Sequence, residues 1–512
     1  MDICIVCGSA EASLVHHFEG QQNEPLLEVI REKAPNWSSD SAICTECLDS
    51  VHQELLSGLL NVQNYSFGGI RVLPTPIRLN ANPKYTGKGV TICMIDSGFY
   101  PHPDLTIPNN RIKKIVDITQ PNRPQSYFEQ PHNVSWHGTM TSVVCAGNGH
   151  LSNGLYKGIA HEASLVLLKV SNDSGAIPGA RIAQALQWVC EHHEEYDIRI
   201  VNLSVADDYD ISFHVSEVAK AIRVLTKKGI IVVAAVGNDP NAPIIPPANA
   251  PEVIAVGGLN DQNTLEPLQQ TLYHSSYGWT IDGLLKPELI APAIWLAAPI
   301  LPKTDTYQQA SELFHEFYRA TGERKDQLLQ EIRRRKLISE YYQHADGTSF
   351  AAPIVCSVIA QMLEANPDLT LEMIRENLLT TAHPLPYEDR KRQGYGVIQP
   401  AHAVAKASQE THHQWIKTSP IIDYEARTIS FHFHHHDAEQ IILTGTFSGW
   451  SSTAMPMLET EEGIWEYIIP LLPKGQYQYK FVIDGRLWKS DPMNYYRVPD
   501  GFNGFNSRFF VG

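Results

Sequence analysis

Several things are missing from this 512-residue chain, and each absence narrows its function. No segment reaches the roughly 18 uninterrupted apolar residues of a spanning helix, so no membrane partner is expected. The opening MDICIVCGSA has neither the basic start nor the apolar stretch of a secretory leader, so the expected compartment is the cytoplasm. Positive charge is scarce: 40 Lys and Arg stand against 56 Asp and Glu, a net charge of −16. Nucleic-acid binding rests on cations neutralising phosphates, so no nucleic-acid partner is expected. Internal repeats and long low-complexity tracts are also lacking.

What is present is an ordinary globular composition, 43% hydrophobic and 19% charged. At roughly 100–200 residues per domain, that length predicts two to four units. Four of the eight cysteines form two CxxC pairs, while Cys93, Cys145, Cys190 and Cys356 are scattered in apolar runs. That usage reads as buried free thiols in a reducing compartment rather than a disulfide framework.

Residues 1–66 hold the paired cysteines and end in a Leu-rich helical pattern, Val51 to Leu60. The Gly- and Pro-rich stretch over 67–86 reads as a linker. Its segment VLPTPI, Val72 to Ile77, is expected to be plain linker, with occlusion of a cleft as the alternative. Over 87–408, apolar β-branched runs such as VTICMI, IRIVNLSV and GIIVVAAVG alternate with amphipathic stretches such as GARIAQALQWVCEHH. Continuous apolar strands between helices predict an α/β unit, a parallel sheet covered by helices on both faces. Over 425–512, short aromatic runs such as TISFHF, GIWEYIIPL and YQYKFVI alternate with Gly, Pro and Asn, the pattern of an antiparallel β-sandwich.

Asp96 follows VTICMI, so its carboxylate should emerge at the carboxyl end of a parallel strand, where α/β sheets gather functional groups. Alone, Asp-Ser-Gly is commonly an Asx-turn or cap. His137 opens HGTMTSVVCAGNG, and a lone His-Gly turn is usually structural. Ser349 sits in GTSFAAPIVCSVIAQML, a small-residue turn feeding an apolar helix, where an N-cap role is the ordinary one. Together, and in the order Asp, His, Ser, they form one of the known triad arrangements.

At these residues the chain resembles the subtilisin-like serine peptidases. DSGFYPHPDL, HGTMTSVVCAGNG, GIAHEASLVLLKV, VNLSVAD, VVAAVGND, KPELIAPA and GTSFAAP all fall in that family's order, across roughly 70–405. The resemblance implies a subtilisin-like fold and endopeptidase action on protein or peptide substrates. It makes Ser349 the nucleophile, His137 the general base, Asp96 the group that orients the imidazole, and Asn238 an oxyanion donor. It also implies that Ser204, Val205 and Ala206 pair with an extended substrate, and that Ala234, Ala235, Val236 and Gly237 line a specificity pocket. Two departures stand out. Met140 replaces a frequent second His, with little consequence expected, and Val236 replaces a usual Ala, which is expected to narrow the pocket. The loop before Ser349 is enlarged over about 293–345, with Leu313, Phe314, Phe317, Leu328, Leu329 and Ile332 near helical spacing. This reads as a helical insertion, either a surface elaboration with a solvated Arg333–Lys336 run or a lid or docking element.

Cys4, Cys7, Cys44 and Cys47 resemble a four-cysteine zinc ribbon, each CxxC turn offering two thiolates to a structural zinc. His16, His17 and His52 are nearby alternative ligands, and the peptidase chemistry itself needs no cofactor. The C-terminal stretch GTFSGWSSTAMPML through DGFNGFNSRFFVG resembles the glycogen-binding module of AMP-activated kinase β subunits, an early-set type sandwich. That resemblance implies sugar contacts at Trp450, Lys480, Trp488 and Asn506, with an α-glucan or a protein as partner. His432, His434, His435 and His436 read as an exposed strand face.

Overall fold

The computed structural model describes residues 4–7, 15–17, 30–31, 33–38, 41–44, 47, 51, 72–264, 269–409, 420–424, 426–435, 438–461, 463–491, 494, 497–501 and 505–511. The Val51–Leu60 helical pattern, the linker residues up to 71 and His52 and His436 lie outside these, apart from Val51 itself.

The central unit is built on parallel strands β1 (Thr91–Asp96), β2 (Ile112–Asp117), β3 (Ser164–Lys169), β4 (Ile198–Leu203), β5 (Ile231–Ala235), β6 (Ile254–Asn260) and β7 (Leu289–Pro292). They are ordered β7-β6-β5-β4-β1-β3-β2, and the short strand Thr271–Leu272 adds antiparallel to β6. β1 is central, and its register with β3 runs from Thr91 opposite Ser164 to Asp96 opposite Lys169. The chain moves to one side of β1 for β2 and β3 and to the other for β4 onward. The carboxyl end of β1 is therefore the topological switch point, where a crevice opens between diverging connections.

Why these runs are strands buried on both faces follows from their alternation. Ile92 and Met94 enter one core with helices α1 (Ser135–Ala146) and α6 (Thr348–Ala365), whereas Cys93 and Ile95 enter a second core with α2 (Gly179–Tyr196) and α3 (Glu217–Thr226). Successive side chains on a strand point to opposite faces, so a wholly apolar run needs two helical layers. Helix α6 is long and apolar enough to cross a membrane by length and composition, but 83% of that stretch is buried, and it serves as the core helix.

The insertion is a helical hairpin, α4 (Asp305–Arg319) and α5 (Gly322–Arg334), carried by an antiparallel strand pair, β8 (Leu296–Pro299) and β9 (Tyr342–Ala345). Phe314, Phe317, Leu328 and Ile332 form its own small core with Ile300 and Leu337, and Leu313 and Leu329 pack at its margin. The Arg333–Lys336 run is exposed but ion-paired in part, Arg334 and Arg335 to Glu331 and Lys336 to Asp346.

Residues 72–86 correct the linker reading. Val72 and Leu73 are buried, Arg78 forms a buried ion pair with Asp261 at 2.8 Å, and Val72 packs on Ile338 and Tyr342. A charge taken out of water needs such a partner, which holds this segment to the central unit.

The C-terminal unit stacks a four-stranded sheet (Ile421–Asp423, Thr428–His434, Leu458–Glu461, Ile464–Pro470) with a five-stranded one (Ile441–Gly445, Gly475–Ile483, Leu487–Lys489, Arg497–Pro499, Phe505–Val511). Phe431, Phe433, Tyr479, Phe481 and Phe509 fill the space between them. His432 corrects the exposed-face reading, since it is 4% exposed and its Nε2 lies 2.7 Å from Glu466 Oε1. At the N-terminus, Val15–His17 pairs with Ala42–Cys44.

Candidate active site

Asp96 ends β1 with no exposed surface. Three donors converge on its carboxylate: the Ser97 N–H at 2.6 Å and His137 Nδ1 at 2.7 Å on Oδ1, and the Thr141 hydroxyl at 3.1 Å on Oδ2. Because Nδ1 donates to Asp96, Nε2 of the neutral ring is the acceptor that faces outward. Burial by itself would lower the His137 pKa, but the charge of Asp96 and its hydrogen bond outweigh this and leave it above the ordinary histidine value. His137 keeps 20% of its side chain exposed, enough to reach a substrate.

The close approach of α1 to β1 depends on Gly138. A Cβ there would stand 2.3 Å from the Gly98 carbonyl oxygen and 2.9 Å from Asp96 Cβ. The Ser97 hydroxyl closes the same joint by donating to the Val134 carbonyl at 2.9 Å.

Ser349 is the second residue of α6 and is half-buried. First-turn N–H groups of a helix have no intrahelical partner, so its backbone N–H is available at the positive end of the helix dipole. Phe350 sets α6 beside the imidazole, its ring centroid 5.8 Å from that of His137. Asn238 lies after β5, exposed, with its amide oxygen accepting from the Thr348 N–H at 2.8 Å and the Thr348 hydroxyl at 3.1 Å. With its oxygen so engaged, the Asn238 NH₂ is the free end of that amide. Gly347, at φ +136°, provides the turn that brings Thr348 to Asn238. His274 Nδ1 donates to the Asn238 carbonyl at 2.8 Å and steadies the same loop.

Of the residues read as substrate-contacting, Ser204 and Val205 are buried and Ala206 is exposed at the end of β4. Ala234 is buried in the second core, whereas Ala235 and Gly237 are half-buried at the end of β5. Val236 is 4% exposed and packs in that same core, so the expected narrowing of the pocket is not seen; the added methyl groups fill the interior. Met140 is likewise buried in the first core. Sequence reading missed Thr141, Thr348 and His274, and also Trp136, 48% exposed and edge-on to His137 at 5.2 Å. Thr141 stands one helical turn after His137, the one sequence signal that pointed to it.

A family profile described as the subtilase family matches residues 87–396. The chain belongs to the subtilase family. Serine protease AprX of Bacillus subtilis (strain 168) is 30% identical over 329 residues, which cover 62% of this chain and 67% of that protein. Minor extracellular protease Epr of the same organism is 26% identical over 316 residues, 61% of this chain and 38% of its own. The solved structure of the Clostridium perfringens CspB protease, 16% identical, superposes with a TM-score of 0.50 over 65% of this chain and 97% of its own, a likeness of fold alone. A second profile, the glycogen recognition site of AMP-activated protein kinase, matches residues 428–506.

Outside the subtilase unit, two clusters remain. The Sγ atoms of Cys4, Cys7, Cys44 and Cys47 all lie within 4.8 Å of one another, and those of Cys7 and Cys44 are 3.7 Å apart. Four thiolates about 2.3 Å from a tetrahedral zinc would be about 3.8 Å apart, so the donor set fits that ion. Burial pushes the Cys4 thiol up, but backbone N–H groups of Cys44, Cys7 and Val6 stabilise the thiolate and bring it down to about 6. Cys4 and Cys44 pack with Ile30, Ile43 and Val51 on Leu155 of the subtilase unit. Of the alternative ligands, His16 and His17 are described only as strand backbone.

In the sandwich, Tyr479, Phe481 and Ile483 face the core, which turns Gln478, Lys480 and Val482 to the outer face. Trp488 stands opposite Val482 on that face, 43% exposed, and Asn506 donates to Gln478 Oε1 at 2.9 Å. Lys480 is 8% exposed and ion-paired with Asp500, and Trp450 is half-exposed at the turn after Gly445. Trp488, Lys480 and Asn506 are thus brought to one sheet face.

Proposed function

We propose that this chain is a cytoplasmic serine endopeptidase acting through an acyl-enzyme, targeted and regulated by its flanking modules. The observation that carries the reading is the 2.7 Å bond from His137 to a buried Asp96, beside a helix that carries Ser349 in its first turn. His137 Nε2 takes the Ser349 hydroxyl proton as Oγ attacks the scissile carbonyl, and later delivers it to the leaving amine. Asp96 holds the tautomer and stabilises the imidazolium. The Asn238 NH₂ and the Ser349 N–H receive the oxyanion, the former pre-aimed because Thr348 holds its oxygen. Ala206 with Ser204 and Val205 offers backbone for an extended substrate, and Ala235 and Gly237 border the adjoining pocket.

Eight free cysteines support a reducing compartment. A structural zinc on Cys4, Cys7, Cys44 and Cys47 would close a module too small to hold itself together by burial alone. The route for regulation runs from that module through Leu155 and Tyr156 to Tyr342, whose hydroxyl donates to Asp104 at 2.6 Å seven residues before Ser349. The exposed Trp488 beside Lys480 and Asn506 supports targeting to an α-glucan, the rings of which stack on aromatic faces.

A fluorophosphonate probe tests the central claim. The wild type should label and Ser349→Ala should not; failure of both to label, also after proteolytic or metal activation, favours an idle subtilisin-fold scaffold. Metal analysis should return about one zinc per chain, lost in Cys44→Ser, and an apo module that melts cooperatively would remove the zinc reading.

A further inference from the structure

The nucleophile helix begins with a defect. Pro353 lies inside α6, four residues beyond Ser349. A proline has no N–H, so the helical hydrogen bond that should end on the Ser349 carbonyl cannot form. That carbonyl belongs to the residue proposed as nucleophile, and an unpaired acceptor at this depth would leave its peptide unit free to rotate.

The vacancy is filled from the residue that follows β4. The Ser204 hydroxyl donates to the Ser349 carbonyl at 2.7 Å. Ser204 is itself aimed, because its oxygen accepts from Asn202 Nδ2 at 2.9 Å, which leaves its single proton for Ser349. Asn202 is held in turn by the Cys356 thiol, which donates to Asn202 Oδ1 at 3.7 Å from the third turn of α6. Asn202 and Cys356 have no exposed surface and Ser204 has 6%. The other end of the same peptide unit is also fixed, since the Phe350 N–H donates to the Gly347 carbonyl at 3.0 Å. The peptide plane following Ser349 is therefore pinned at both ends, one end by the helix N-cap Gly347 and the other by Ser204, the residue after β4.

We propose that the Ser204 hydroxyl is a positioning residue for the acyl transfer: it replaces the helical bond that Pro353 removes and so sets the orientation of the Ser349 peptide unit. Resting on the peptidase reading, this gives Ser204 a side-chain role distinct from its backbone's place beside substrate. It also ties the strand that carries substrate to the helix that carries the nucleophile, through one hydroxyl.

The missing N–H provides its own test. Four full-length proteins are compared, the wild type, Ser204→Ala, Pro353→Ala and the double variant, by fluorophosphonate labelling rate and by kcat and KM on a peptide. Ser204→Ala should lower the labelling rate and kcat about tenfold with KM within about twofold, the loss expected of one hydrogen bond. Pro353→Ala should stay close to the wild type. In the double variant the N–H restored by Pro353→Ala donates to the Ser349 carbonyl, and the rate should return to within about threefold of the Pro353→Ala single variant. A Ser204→Ala protein as fast as the wild type, or a double variant as slow as Ser204→Ala, overturns the proposal. If Ser204→Ala does not fold, Ser204→Cys, a weak donor of similar size, carries the same contrast with Pro353→Ala. A wild type that never labels overturns the peptidase reading and this proposal with it; a labelled wild type with an unaffected Ser204→Ala overturns this proposal alone.

Discussion

Asp96 and Trp488 both stand on strands, yet the first has no exposed surface and the second leaves 43% of its own in solvent. Every oxygen of the Asp96 carboxylate is engaged, and its neighbours Gly138 and Ser97 are held by their own contacts. Around Trp488 the indole itself stays partly open to solvent, opposite a buried Val482 on the outer sheet face. The contrast follows from the work each region is proposed to do. Proton transfer and oxyanion binding need atoms placed to within a fraction of an ångström, which packing supplies at the end of a buried sheet. Stacking on a sugar ring needs open aromatic area and tolerates looser placement.

The largest effect should come from Asp96→Asn. The tautomer is then wrong, and kcat should fall by about 10⁴ with the fold intact, as the melting profile will show. The pH profile sharpens the point. In the wild type, His137 is charged and idle at low pH, so kcat/KM should rise with pH through a midpoint above the ordinary histidine value of about 6.5. In Asp96→Asn the burial that lowers the pKa remains while the charge that raises it is gone, so the residual activity should titrate below that value. An unmoved midpoint would mean that Asp96 does not govern His137.

Asn238→Ala should cost about 10²–10³ in kcat with KM little changed, the loss typical of one oxyanion donor. A drop confined to KM would place Asn238 in ground-state binding instead. Gly138→Ala asks whether the joint is as tight as it looks. A methyl 2.3 Å from the Gly98 oxygen should destabilise the fold by about 1–3 kcal/mol, read as a lower denaturant midpoint. The smallest effect belongs to the open face. Trp488→Ala should weaken retention on glycogen or amylose about two- to twelvefold, from ~0.5–1.5 kcal/mol of aromatic contact, without touching peptidase activity. Equal retention would leave the face without a sugar.

Much of the fold was legible. Alternating apolar runs and amphipathic stretches read as a doubly covered parallel sheet, and Phe314, Phe317, Leu328 and Ile332 marked the core of the insertion. The motifs around Asp96, His137, Asn238 and Ser349 stood out because each needs a particular residue beside it, Gly138 and Gly347 above all. Residues 72–86 were misread because Pro and Gly punctuate a buried segment as readily as a free one, and the partner of Arg78, Asp261, lies 183 positions away. Val236 and His432 were misread for a related reason: local pattern says which residues could be exposed, not which neighbour covers them.

The sequence by itself therefore determined the layer architecture, which follows from local periodicity, and the order of its motifs, through their resemblance to the subtilisin-like peptidases, singled out Asp96, His137, Asn238 and Ser349. Tertiary structure alone decided how those residues are aimed. The Asn238 amide is turned by Thr348, 110 positions on, and the Ser349 carbonyl is held by Ser204, 145 positions back. Such bonds join elements whose nearness exists only once the sheet has formed, and no spacing along the chain encodes them.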